Sequence, residues 1–92
     1  MRFMVIEHFR EGAVGAIYRR LRESGRQMPA GLTFVSSWIT ADRTRCYQVM
    51  ECDDRALLSE WMSHWSDLMR FEVIPVMTSA EAAARAEEAE NE

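Results

Sequence analysis

The sequence contains no lysine, and it is poor in the residues that build many specialised sites. All eleven basic residues are arginine, and there are only four Gly, two Pro and two Cys in 92 residues. No CxxC, HxH or HExxH spacing occurs, which argues against a zinc site. No glycine-rich phosphate loop and no GxSxG nucleophile motif occurs either. The residue pattern therefore predicts no metal site and no dedicated cofactor.

Long apolar runs are also missing. No stretch approaches the roughly 20 apolar residues that cross a bilayer, and the opening residues MRFMVIEHFREG lack the apolar core of a secretory signal. Cys46 and Cys52 then read as free thiols in a reducing compartment, where they act as small apolar residues. We expect a cytoplasmic protein that does not associate with membranes.

The negative charge is confined to one end of the chain. The net charge is −4, yet residues 1–80 hold ten Arg against ten Asp and Glu, and the last twelve residues hold five Glu and one Arg. No basic surface for nucleic acid is indicated. Residues 81–92 predict an acidic helical tail, frayed at its end because the glutamates oppose the helix dipole.

The pattern of apolar residues predicts four strands and two helices before the tail. Strands are expected at residues 2–9, 32–40, 45–52 and 70–77, with helices from Ala13 to Gly25 and after Asp53 or Asp54. Thr78 to Glu81 forms a capping-box pattern that starts the tail helix. The order βαββαβ plus a C-terminal helix predicts an α+β, ferredoxin-like domain over residues 1–80. Right-handed crossovers predict strands one and three parallel in the centre, with strands four and two at the edges, and Pro75 marks strand four as an edge.

Five segments carry a resemblance to known proteins: FMVIEHF, GLTFVSSW, CYQVMECDD, LLSEWMSHWSDL and FEVIPV. They resemble a small bacterial family catalogued as domain of unknown function 3303, within the dimeric α+β barrel superfamily. The resemblance implies two four-stranded sheets packed face to face in a homodimer. The superfamily includes cofactor-free monooxygenases, haem-degrading enzymes, and chlorite dismutase-like and muconolactone isomerase-like proteins, but no motif specific to any of them is visible.

The strands also predict a dimer on physical grounds. Both faces of the expected sheet carry large apolar side chains, and 48% of the residues are hydrophobic. Two helices cover one face only, so a second copy of the sheet is the simplest cover for the other.

Alternation along the strands places the polar candidates on opposite faces. In strand one, Glu7 points away from His8. A four-residue loop at 41–44 pairs hairpin residues whose numbers sum to 85, so that Trp38 meets Tyr47 and Phe34 meets Glu51. In this register Ser37, Cys46 and Gln48 are expected on the face of His8, with Gln48 bonded either to a ligand carbonyl or to Ser37.

Two residues are the candidate catalytic groups. Glu7 is a candidate general base, and parallel strands would bring Glu51 to the same end of the sheet, where one carboxylate would raise the pKa of the other. The alternative is that these carboxylates lie in water or pair with arginine. His8 is the other candidate base, or a hydrogen-bonding residue at a strand end. The predicted ligand-binding residues are Trp38, Arg45, Tyr47, Gln48, Glu51 and Trp61.

Three functions fit these residues. The first is a homodimer that binds a small apolar or aromatic molecule on one face of the sheet, and oxygenates, isomerises or decarboxylates it without a tightly held metal. The second is a non-catalytic dimeric interaction module, in which the polar strand residues complete the interface. The third is haem binding with His8 as the axial ligand.

Overall fold

The computed structural model describes residues 1–91, which form a four-stranded antiparallel sheet with three helices. The α+β, ferredoxin-like fold predicted from the sequence is confirmed. The sheet has the strand order β2-β3-β1-β4. The elements are β1 (Arg2–Phe9), α1 (Val14–Ser24), β2 (Thr33–Ile39), β3 (Arg45–Glu51), α2 (Ala56–Ser63), β4 (Met69–Val76) and α3 (Ser79–Glu90).

Strands β1 and β3 are central as predicted, but the prediction that they run parallel is wrong. Arg2 pairs with Glu51 and Glu7 pairs with Cys46, so the two strands are antiparallel. The reason lies in the connections. The α1 crossover makes β1 and β2 run in the same direction, and β3 returns from β2 through a hairpin into the space between them. A strand in that position is antiparallel to both neighbours.

The hairpin register is right near the turn and wrong farther from it. Trp38 lies opposite Tyr47 as predicted, but Phe34 lies opposite Met50 rather than Glu51. The register shifts between Phe34 and Ser36, because one extra residue on β2 forms a bulge and displaces all earlier pairs by one.

Burial alternates along the central strand and defines two faces of the sheet. Phe3, Val5 and Glu7 are buried, whereas the residues between them are half-buried. The buried side is the helix face, and its core is formed with residues of α2 and the turn after it. The largest fully buried side chains are Val5, Met50, Leu58, Trp61 and Met69.

The opposite side of the sheet, the open face, contains apolar and charged side chains together. Trp38 is 72% exposed and Ile74 is 46% exposed. The strand pairing places these residues on the open face: Met4, Ile6, His8, Trp38, Arg45, Tyr47, Val49, Arg70, Glu72 and Ile74.

Helix α1 ends as its sequence predicts. Gly25 has φ 63°, and its N–H donates to the Leu21 carbonyl, which is a conformation that glycine adopts without strain. Helix α2 ends at Ser63, and Trp65 lies in the following turn. The Asp54 side chain accepts a hydrogen bond from the Ala56 N–H at the start of α2.

Helix α3 extends away from the core. Thr78 caps it by accepting a hydrogen bond from the Glu81 N–H at 3.0 Å, as the capping-box pattern predicted. None of its residues is buried, and Arg2 pairs with Glu81 at 2.7 Å near its start. The helix continues through Glu90, so fraying stays a prediction, and Glu92 lies outside the described residues. β4, which contains Pro75, is an edge strand as predicted.

Candidate functional site

A pocket of about 210 Å³ lies between the helix face of the sheet and the α1 and α2 region. Its inner surface is mostly apolar, with a few polar groups from the central strands. The residues that line it include Glu7, Ile17, Cys46, Gln48, Trp61 and Met69. Tyr18 and Ile39, which also line the pocket, are partly exposed.

Two tryptophans fix one wall of the pocket. The indole N–H groups of Trp61 and Trp65 both donate to the carbonyl oxygen of Arg26, at 2.9 and 3.1 Å. Trp61 also packs edge-on against Phe71, with ring centroids 5.7 Å apart. These two hydrogen bonds tie α2 and the turn after it to the segment that follows α1.

The polar part of the pocket is a hydrogen-bonded pair from β1 and β3. The Gln48 Nε2 donates to the Glu7 Oε2 at 2.7 Å, and both side chains are buried. Cys46 lies directly opposite Glu7 in the pairing of β1 with β3. The Gln48 Oε1, by contrast, is buried without a hydrogen-bond partner among residues 1–91.

Burial changes the acid–base properties of this group of residues. It raises the pKa of Glu7 to about 7, although the neighbouring Cys46 thiol and the hydrogen bond from Gln48 oppose the rise. Burial and the neighbouring Glu7 carboxylate raise the pKa of the Cys46 thiol to about 12. Glu7 is therefore able to exchange a proton near neutral pH, whereas Cys46 stays protonated and is a poor nucleophile.

The faces predicted for Ser37 on β2 and for Cys46 and Gln48 on β3 were wrong. Gln48, Cys46 and Ser37 lie on the face of Glu7 and not on that of His8. Residues directly opposite one another in an antiparallel pair share a face, and Cys46 lies opposite Glu7. The expected bond from Gln48 to Ser37 does not form, because the Gln48 amide donates to Glu7 instead.

The two predicted carboxylates are far apart. Glu7 pairs with Cys46 near the end of β1, whereas Glu51 lies opposite Arg2 at the other end of the sheet. The Glu51 side chain accepts a hydrogen bond from Arg2 Nε at 3.3 Å. The expectation that Glu51 raises the pKa of Glu7 is thus wrong, because it depended on parallel strands.

The other predicted site residues lie on the open face. The His8 Nε2 pairs with Glu72 at 2.5 Å, and His8 lies opposite Arg45 on β3. The Arg45 guanidinium lies 5.9 Å from the centroid of the Tyr47 ring. The structure therefore brings together Glu7, Gln48 and Trp61 in the pocket, and it places His8, Trp38, Arg45 and Tyr47 on the other side of the sheet.

The described residues offer no cluster for a metal ion. Within residues 1–91, no three His, Cys, Asp or Glu side chains lie close enough together to hold one. No helix in this part of the chain is long and apolar enough to span a membrane.

Comparison with protein families gives a match over nearly the whole chain. The family described as "Domain of unknown function (DUF3303)" matches residues 1–90. The chain belongs to the DUF3303 family. No curated protein and no solved structure matches it significantly. The match covers all of β1 to α3, so the pocket of this DUF3303 protein lies wholly within the matched region.

Several pocket residues of this DUF3303 protein were not among the predicted site residues. Ile17 and Met69 line the pocket, and neither was singled out from the sequence. The backbone carbonyl of Arg26 accepts hydrogen bonds from both indoles. Any residue type supplies such a carbonyl, so the sequence could not single out this position. The usable signal was the pair of tryptophans four residues apart, because each buried indole N–H needs an acceptor.

Proposed function

We propose that this DUF3303 protein binds a small, largely aromatic molecule in the pocket between the sheet and its helices, with Glu7 as the group that exchanges a proton with it. The observation that carries the proposal is a buried carboxylate and amide, joined at 2.7 Å, at the inner surface of an otherwise apolar pocket. Pockets of this composition, with few polar groups among apolar walls, are typical of small-molecule sites.

The size of the pocket limits the ligand. An apolar protein cavity of about 150 Å³ is large enough to hold benzene. The pocket here measures about 210 Å³, which suits one aromatic ring with small substituents. Trp61 and Phe9 line it, and aromatic side chains favour stacked or edge-on contacts with a ring.

The chemistry of Glu7 supports a role in proton transfer. A general base works best when its pKa lies close to the working pH, and burial raises the pKa of Glu7 to about 7. His8 is on the opposite side of the sheet, so it does not share a substrate with Glu7. In this proposal Glu7 is the acid–base group, and the oxygenation, isomerisation and decarboxylation considered above are the candidate reactions.

The test of ligand binding is a pocket-filling substitution. Ser37 lines the pocket, and its neighbour Ser36 lies opposite Val49 on the open face. We expect toluene and indole to shift the amide NMR signals of pocket residues in the unmodified protein. Ser37→Phe should abolish these shifts by occupying the pocket, whereas Ser36→Phe adds the same ring outside it and should preserve them.

Two results would contradict the proposal. One is the absence of any saturable signal change with aromatic probes in the unmodified protein. The other is equal binding by the Ser37→Phe and Ser36→Phe variants, since binding would then occur elsewhere. Circular dichroism of both variants establishes that each retains the fold.

The open face favours a second function, the homodimeric association predicted from the sequence. We propose that a second copy of the chain covers it. The face holds exposed Trp38 and Ile74, and it carries both signs of charge, with Arg45 and Arg70 on the same face as Glu72. A surface with both signs can pair with itself about a two-fold axis.

We also propose a cytoplasmic location for the protein. Its two free cysteines support this location.

A further inference from the structure

The amide of Gln48 is incompletely hydrogen-bonded in the pocket. Gln48 is only 5% exposed, and its Nε2 donates to Glu7 at 2.7 Å. Its Oε1 is buried and has no partner among residues 1–91. A buried polar atom without a partner is uncommon in folded proteins and costs free energy. Gln48 lines the pocket, so a ligand that reaches this oxygen can supply the missing hydrogen bond.

The choice of amide orientation does not remove the unpaired atom. If the amide is turned by 180°, its oxygen approaches Glu7 and its nitrogen is left without an acceptor. One orientation requires a donor from the ligand and the other requires an acceptor. A hydroxyl group is both a donor and an acceptor, so it satisfies either orientation of the Gln48 amide.

The other side chains that line the pocket determine which kind of molecule carries that hydroxyl group. The side chains around the Glu7 and Gln48 pair are mainly aromatic or aliphatic, including Phe9, Leu21 and Trp61. They offer van der Waals contact to a ring and few partners for further polar groups. Arg26 also lines the pocket and interacts favourably with the Glu7 carboxylate, so these walls leave little further compensation for charged substituents on the ring.

We propose that the ligand of the pocket is a hydroxylated aromatic molecule of the phenol class, whose hydroxyl group hydrogen-bonds Gln48 beside Glu7 while its ring lies among the apolar side chains. This inference rests on the proposed function, because it names the ligand class of the same pocket. It excludes simple arenes as the preferred ligands, even though they fit the same volume.

Phenol and toluene distinguish this proposal from general apolar binding. The two molecules have nearly the same shape, and they differ in a hydroxyl group in place of a methyl group. An apolar pocket prefers toluene, because phenol must give up hydrogen bonds to water. A pocket with an unpaired buried amide atom prefers phenol, since a site built to bond a hydroxyl rejects the analogue that lacks it.

The experiment measures the dissociation constants of phenol and toluene by NMR titration of the full chain. We expect phenol to bind about tenfold or more tightly than toluene. In Gln48→Met, which keeps the length of the side chain and removes the amide, toluene should become the tighter ligand. Ser36→Ala, on the open face, serves as the control and should keep the preference for phenol.

The possible outcomes separate the proposed phenol class from the broader proposal that the pocket binds aromatic molecules. Equal affinities, or a preference for toluene in the unmodified protein, would overturn the phenol class while leaving aromatic binding intact. Binding of neither probe would overturn the proposed function and this inference with it. A preference for phenol that persists in a folded Gln48→Met variant would also overturn it. The comparison in the unmodified protein decides the matter even if that variant does not fold.

Discussion

Glu7 is the residue whose burial most needs a physical explanation. It is 6% exposed, and a buried carboxylate is costly in its charged form unless other groups compensate. The neighbouring Cys46 thiol and a hydrogen bond from Gln48 favour the charged form, and Arg26 adds a weaker favourable charge interaction. These contacts do not fully replace water, so the pKa of Glu7 remains raised. The fold thus retains a carboxyl group that is easier to protonate than one in solution.

This raised pKa predicts how stability varies with pH. Burial raises the pKa of Glu7 to about 7 in the folded protein, whereas its ordinary pKa, which applies to the unfolded chain, is 4.5. The folded state therefore binds more protons than the unfolded state within this window, and the free energy of unfolding should fall as the pH rises through it. The loss should be about 3 kcal/mol. Urea unfolding at pH 5 and pH 8 measures it.

The Glu7→Gln variant isolates the contribution of that residue. It has no proton to lose, so its unfolding free energy should vary less between pH 5 and pH 8 than that of the unmodified protein. Glu11→Gln removes an exposed carboxylate and should leave the pH dependence unchanged. Identical slopes for the unmodified protein and Glu7→Gln would show that burial does not raise this pKa.

At the scale of elements, α3 differs from the rest of the chain. It has twelve residues, none of them buried, and isolated helices of this length are marginal in water. Its stability comes from the Thr78 cap, from its alanine content and from the contact of Arg2 with Glu81. The first turn of α3 is held by its contact with Arg2 of β1. None of the side chains of α3 is buried against the core.

A chain that ends at Thr78 tests this independence. Since α3 contributes no buried side chain, we expect the thermal midpoint of the shortened chain to lie within about 4 °C of the full chain, with a loss of helical circular dichroism. Arg2→Ala in the full chain is the matched control for the ion pair. A much larger drop in the midpoint would mean that α3 packs against another molecule, such as a second copy.

The sequence was most informative about the boundaries of individual helices. The end of α1 near Gly25 and the Thr78 cap each depend on neighbours a few residues away, so local pattern predicted them. Strand direction depends on how distant segments meet, and the parallel arrangement of β1 and β3 was therefore wrong. The face that Gln48 occupies likewise depends on how β3 pairs with β1, so its contact with Glu7 was not predicted.

At the scale of the whole molecule, the sheet has one covered face and one open face. Trp61 and Leu58 cover one side, at 2% and 1% exposed, while Trp38 on the other side is 72% exposed. Exposed apolar groups in one contiguous surface mark interaction sites more often than isolated ones do. The charged residues of the open face prevent it from becoming a uniformly apolar surface, which would favour aggregation over a defined contact.

Sedimentation equilibrium should therefore detect a homodimer of the 10.7 kDa chain at micromolar concentration. Trp38→Glu places a charge at the most exposed apolar position of the open face, and we expect it to shift the population to monomer because an unpaired charge in an interface is costly. Ala16→Glu adds the same charge on the solvent side of α1 and should remain dimeric. A monomeric unmodified chain would contradict the proposed dimer while leaving the pocket untouched, because Glu7 and Gln48 lie on the opposite face of the sheet.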